Sequence, residues 1–342
     1  MKPISRFTLA VTATAAALLQ GVHVQAADSS PAYNFLNVTN STRIYGLGGI
    51  NITTVDDDLL AVDQNPALLG PEFDTQGAVS YMRYLGESNF AGLRFGMPAS
   101  SRGAWSASIQ YFGYGEMKET DIDGTIMGDF SPKDVNFSGM YSHQLSNNMR
   151  GGFNLKFLYS SYGEYSAFAL ATDLGINYYD PDRDLSLSVV VANLGGQIKR
   201  FDQAYDRLPI DVRLGWAKSF GTFPVRFSVT AWNLTKWKMP YLDSGDGTQQ
   251  PQMKDSFGSN LMRHLVFGAD IIPSEKFNLG IGYNYKTRTD MATYSRNLLS
   301  GFSICAGLKA RGCTIGVALA QPHTGATTLM FNLSLNVSRL KD

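Results

Sequence analysis

Leu329-Met330-Phe331-Asn332-Leu333-Ser334-Leu335-Asn336-Val337 decides the fold of this 342-residue chain. Leu329, Phe331, Leu333, Leu335 and Val337 point one way; Met330, Asn332, Ser334 and Asn336 point the other. With a period of two this is a strand. One of its faces is too apolar for water and the other too polar for a packed core. A strand between lipid and a solvated or plugged lumen satisfies both faces.

Working outward, the same alternation recurs over 78–84, 89–97, 103–112, 135–144, 150–160, 166–179, 185–193, 210–220, 224–233, 262–272, 276–286, 300–309, 313–321 and 327–337. Most of these stretches run close to the roughly 9–11 residues that cross a bilayer at a tilt. Trp105, Ala107, Ile109 and Tyr111 form one outward face; Phe153, Leu155, Phe157 and Tyr159 form another. The opposite faces carry Ser106, Ser108 and Gln110, Asn154 and Lys156, Asp211 and Arg213, and Asn278, Gly280, Gly282 and Asn284. Such residues offer little apolar pocket inside.

The connections sort by length. Gly113–Asp134, Leu194–Pro209, Leu234–Leu261 and Thr287–Leu299 are long. Pro98–Arg102, Leu145–Met149, Asp180–Asp184, Gly221–Phe223, Pro273–Glu275 and Ala310–Gly312 are short and rich in turn residues. Long loops outside and short turns in the periplasm are the rule for outer-membrane barrels. The expected fold is therefore all-β, a closed antiparallel barrel of about fourteen strands over 78–342. A soluble β-sandwich also alternates. The strand number, the sorted connections and the polar inward positions tell against it.

Composition agrees. Hydrophobic residues make up 44% and mean hydropathy is −0.12, and past the N-terminus no apolar run reaches the length of a membrane helix. Residues 1–26 read as a cleaved export signal: Lys2 and Arg6, then the apolar stretch Phe7 to Leu19, then Val24-Gln25-Ala26. Removing it takes two of the 29 basic residues and none of the 29 acidic ones, so the mature balance is −2 with His neutral. That balance carries no bias toward nucleic acid. Cys305 and Cys313 flank the turn Ala310-Arg311-Gly312; a cross-strand disulfide and two free thiols both fit the spacing.

Residues 27–77 do not alternate consistently and read as a plug. Their distinctive words are Phe35-Leu36-Asn37, Ser41 and Arg43, Gly48-Gly49-Ile50-Asn51, Asp56-Asp57-Asp58 and Asn65-Pro66-Ala67-Leu68-Leu69. Glycines allow close backbone approach to a wall, Asn65-Pro66 makes a rigid turn, and the aspartates belong in the lumen or periplasm.

These words resemble the FadL-like superfamily of plugged fourteen-strand barrels. Within it they are similar to the PorQ/PorV-type barrels of the type IX secretion system of Bacteroidetes, and the compact length is closer to PorQ. Tyr45-Gly46 stands where that family usually carries small alanines. The resemblance implies a non-enzymatic outer-membrane component without cofactor. It would anchor a cell-surface attachment complex that processes exported proteins and links them to lipopolysaccharide. The implied partners are a PorZ-type surface protein and PorU/PorV-type members, together with outer-membrane lipid, lipopolysaccharide included. A FadL-like transporter of hydrophobic small molecules is the alternative.

No catalytic or metal constellation stands out. His143, His264 and His323 are dispersed and read as solvated rim residues, and Glu116–Asp123 reads as a solvated external loop. Lys236, Trp237, Lys238 and Tyr241 at the outer end of a strand read as either an aromatic girdle or a partner-docking loop.

Overall fold

The computed structural model describes residues 33–56, 58–201, 205–220, 224–243, 252–274, 276–290, 299–323 and 326–338. The expected export signal and Asp57 lie outside the described residues. The strands are β1 (Gln76–Arg83), β2 (Asn89–Ser100), β3 (Gly103–Gly113), β4 (Met117–Thr120), β5 (Ile126–Phe130), β6 (Lys133–Ser146), β7 (Met149–Tyr162), β8 (Tyr165–Asp180) and β9 (Leu185–Lys199). They continue with β10 (Asp211–Ser219), β11 (Val225–Ala231), β12 (Tyr241–Asp243), β13 (Gln252–Lys254), β14 (Leu265–Ser274), β15 (Phe277–Asn284), β16 (Phe302–Ala310), β17 (Cys313–His323) and β18 (Ala326–Asn336).

Fourteen of these strands form a closed antiparallel barrel, with β1 paired to β2 on one side and to β18 on the other. Closure leaves no unpaired edge, which a bilayer without water requires. The register holds the alternation in place. Gln76 faces Asn336 and Arg83 faces Leu329, so Val79 and Tyr81 join Leu333 and Phe331 on the lipid side. A slip of one residue would turn every apolar side chain into the lumen. The expected strands are all present. Their ends shift by a few residues because backbone pairing continues past the last alternating pair, as in β6 and β9.

The long connections are more structured than expected. Gly113–Asp134 folds back as the hairpin β4–β5 rather than a simple solvated loop. Leu234–Leu261 holds the small pair β12–β13 and most of α2 (Phe257–His264). That helix displaces the start of the strand expected at 262. Ser256 caps it, its hydroxyl accepting from Ser259 N at 3.3 Å, and Arg263 lies in the last turn, where a cation suits the helix dipole. Another short helix, α3 (Tyr285–Asp290), likewise replaces the end of the strand expected over 276–286.

Within β9, Asn193 has φ 57° and the β8–β9 register shifts beside it. Asp173 accepts from its backbone N–H at 2.8 Å, and its own side chain takes the Lys156 ammonium at 2.8 Å. This bulge is pinned by the lumen rather than left loose.

Candidate functional site: a lumen in two halves

The segment ahead of β1 lies against the inner wall. A short helix, α1 (Thr42–Gly46), begins at Ser41, whose hydroxyl accepts from Ile44 N at 3.2 Å and donates to Asp58. Arg43 pairs with Asp56 of the same segment and with Asp270 of β14, its Nε donating to Asp270 at 2.7 Å. The chain then passes so near β15 that a Cβ on Gly282 would collide with the backbone of Leu47 and Gly48; Gly48 itself sits at φ 101°. Asn51 accepts from Thr53 N at 2.9 Å and donates to Ser228 of β11 at 2.9 Å. Asn65 accepts from Ala67 N at 3.0 Å and donates to Ile52 O at 2.9 Å, and Pro66 opens a single 3-10 turn, Pro66–Leu68, against β7 and β8.

Further pins tie the segment to β2, β3 and β10. Asp63 pairs with Arg94 of β2, which is fully buried, and also accepts from Asn40 and from Gln110 at 3.1 Å. Arg94 donates to Ser106 at 2.7 Å and Ser108 at 3.0 Å. Arg213 of β10 reaches Gln64 at 2.8 Å, Asn37 at 3.0 Å and its neighbour Asp211 at 2.7 Å. Charged side chains at membrane depth need such partners. Arg94 and Asp270 carried that signal in the sequence: each is a charge on the inner parity of a strand at membrane depth.

Toward the outer end the lumen changes character. Met82, Phe90, Phe112, Leu158 and Met330 turn inward there and pack with Tyr33, Phe35 and Leu36 of the leading segment. The expectation of a lumen lined mainly by Ser, Asn, Gly and charged residues is corrected here. It described mid-strand positions, while the last inward positions before the outer loops are apolar. A series of rings runs along this rim. Centroid spacings are 6.1 Å for Phe90–Phe112, 4.8 Å for Phe112–Tyr114, 5.8 Å for Tyr114–Tyr162 and 5.1 Å for Tyr162–Phe201. Among them Asp134 is satisfied by three hydroxyls, from Tyr114 at 2.6 Å, Tyr162 at 3.0 Å and Ser160. Gln197 donates to the Tyr33 hydroxyl at 3.0 Å, and Tyr33 has φ 63°, a conformation uncommon for a bulky residue.

At the periplasmic end a cavity of about 370 Å³ opens between α1 and the β14–β18 wall, lined by Arg43, Asp56, Asp58, Asn278 and Cys305 among others. Cys305 and Cys313 are both free thiols, Cys305 buried beneath α1.

The candidate docking residues meet different neighbours. Lys236 and Lys238 are exposed, and Trp237 stacks on His264 with centroids 4.9 Å apart. Tyr241 instead lies in β12, its hydroxyl 3.0 Å from that of Tyr285 and its ring under the Arg263 guanidinium. His264 is a correction to the expectation of a solvated rim histidine: it is buried, with ring nitrogens 2.8 and 3.0 Å from the carbonyl oxygens of Trp232 and Trp237. His143 is exposed, and the His323 side chain lies outside the described residues.

No family model matches the chain, and no curated protein does. Solved structures do match. The toluene transporter TbuX of Ralstonia pickettii aligns with a TM-score of 0.51 at 12% identity, over 89% of this chain and 98% of that one. The toluene transporter TodX of Pseudomonas putida aligns with a TM-score of 0.52 at 11% identity, over 87% and 97%. A Pseudomonas aeruginosa FadL homologue aligns with a TM-score of 0.49 at 14% identity, over 86% and 97%. The fold is that of these fourteen-strand transporter barrels.

Proposed function

We propose that this chain is an outer-membrane conduit that admits small apolar molecules at its outer end. The observation that carries this reading is the apolar, ring-lined outer half of the lumen, which ends in the barrel mouth where ligand sites of this architecture occur. An apolar solute gains by leaving water for such a site. The likeness of fold to barrels that transport toluene is in keeping with it. Tyr33, Phe35 and Leu36 occupy the site at rest and give way to the solute. Export by a leader cleaved after Ala26, a plug over 27–77 and a barrel over 78–342 belong to the same proposal.

Uptake of labelled toluene into liposomes carrying the purified protein is the test. Saturable uptake above that of empty liposomes supports the reading; equal uptake refutes it.

A second reading is favoured by the sequence words of the plug and by the folded outer excursions β4–β5, β12–β13, α2 and α3. In it the barrel is a docking component of a type IX secretion system that holds a PorZ-type surface protein beside PorU/PorV-type members. Affinity purification from outer membranes separates the two. Co-elution of such partners with no toluene uptake would establish the second reading in place of the first.

A further inference from the structure

We propose that Lys236-Trp237-Lys238 binds the phosphorylated headgroup of an anionic glycolipid in the outer leaflet. This inference is independent of what passes through the lumen.

The segment leaves the top of β11 and is tied to the top of β10. Leu234 N donates to Val212 O at 3.4 Å and the Thr235 hydroxyl to Ile210 O at 2.8 Å. Val212 shares the outward parity of Leu214, which is 46% exposed on the lipid face. The segment therefore starts where the apolar belt ends, at headgroup height. It is also held in shape. Asn233 turns the chain at φ 56°, Lys236 N donates to Asn233 O at 3.2 Å, and His264 touches the carbonyls of Trp232 and Trp237 from beneath.

Trp237 packs against His264 and Phe257 and remains 41% exposed. An amphipathic indole at this height is the usual anchor of a barrel to the membrane interface. The lysines on either side are exposed, and among the described residues no hydrogen bond or ion pair engages either ammonium. Two cations flanking an interfacial ring match a phosphate carried on a lipid. Charge around the mouth points the same way. The hairpin region between β3 and β6, elsewhere around the mouth, exposes Glu119, Asp121 and Asp123, with Asp129 paired to Lys118, and disfavours an anionic headgroup.

The test is native mass spectrometry of the full chain in mild detergent, titrated with bis-phosphorylated lipid A. The double variant Lys236→Gln/Lys238→Gln should bind about thirtyfold more weakly, from two interfacial cations. Lys118→Gln, in the β4–β5 hairpin, should bind like the parent chain. Heat-modified migration on a gel verifies that each variant is folded. Equal binding by the double variant overturns the proposal. So does competition by inorganic pyrophosphate as strong as that by the lipid, which would mean a free-anion site. Unchanged lipid affinity with loss of a co-purifying surface protein would assign the segment to a protein partner and also overturn it.

Discussion

The periplasmic and outer halves of the lumen are built on the same strands and the same alternation, yet they hold the leading segment by different forces. Below, Arg43 and Asp63 meet Asp270 and Arg94 through short directional contacts. Above, Tyr33, Phe35 and Leu36 pack with Phe90, Phe112 and Met330 mainly through apolar area, with Gln197 donating to the Tyr33 hydroxyl. A buried ion pair tolerates little displacement, because either partner left alone at low dielectric is costly. Apolar packing has no direction and accepts another apolar group in exchange. On the proposed reading the lower half is a lock, and the upper half the place where a solute replaces the protein's own side chains.

The sharpest way to break this contrast is Arg94→Ala. It leaves Asp63 buried beside Asn40 and Gln110 without its cation, at a cost of about 3–5 kcal/mol. The wall ladders are untouched, so the loss should fall on the leading segment. Protease should cut within 33–75 while the barrel band persists on gels, and steady conductance in planar bilayers should rise. An Arg94→Met/Asp63→Leu pair should recover much of the loss.

Phe112→Leu probes the other half. Volume is nearly kept, so stability should change by about 1 kcal/mol or less. The ring series is interrupted between Phe90 and Tyr114, and toluene uptake should fall severalfold with the segment still protected. Uptake unchanged by Phe112→Leu but abolished by Arg94→Ala would reverse the roles of the halves.

The smallest effect is expected at the periplasmic turn before β9. Burial works against ionisation of Asp184, but the Ser219 hydroxyl and the Arg226 guanidinium outweigh it and hold its carboxyl below the usual range. A carboxyl depressed on folding stabilises above its unfolded value, and the gain is lost as pH falls through its folded value. Asp184→Asn should lower the melting temperature slightly at pH 7 and leave it unchanged near pH 2, without altering uptake.

The barrel was legible because its rule is local: Leu329 to Val337 states the period, and the turn residues state the connection lengths. Ser41, Arg43 and Asn51 were legible as a group but not in their roles, whereas the turn at Asn65-Pro66 was legible directly. Capping and turn formation at Ser41, Asn51 and Asn65 depend on neighbours a few residues away. The partners of Arg43 and Asp63 lie on distant strands, Asp270 and Arg94, and no spacing in the chain announces them. The outer apolar half was missed because the inward residues weighed in the sequence were the polar mid-strand ones, whereas Phe90, Phe112 and Leu158 take the same inward parity nearer the strand ends. The α2 helix was missed because Leu261, Met262 and Leu265 continue an apolar run that a strand also explains.

Crystals soaked with iodobenzene test the central claim most directly, since the iodine marks its own position by anomalous scattering. The account predicts a peak inside the outer lumen among Phe90, Phe112 and Tyr114, with Phe35 and Leu36 shifted aside and Arg94 still on Asp63. Peaks confined to the lipid face, with the lumen unchanged, would contradict it.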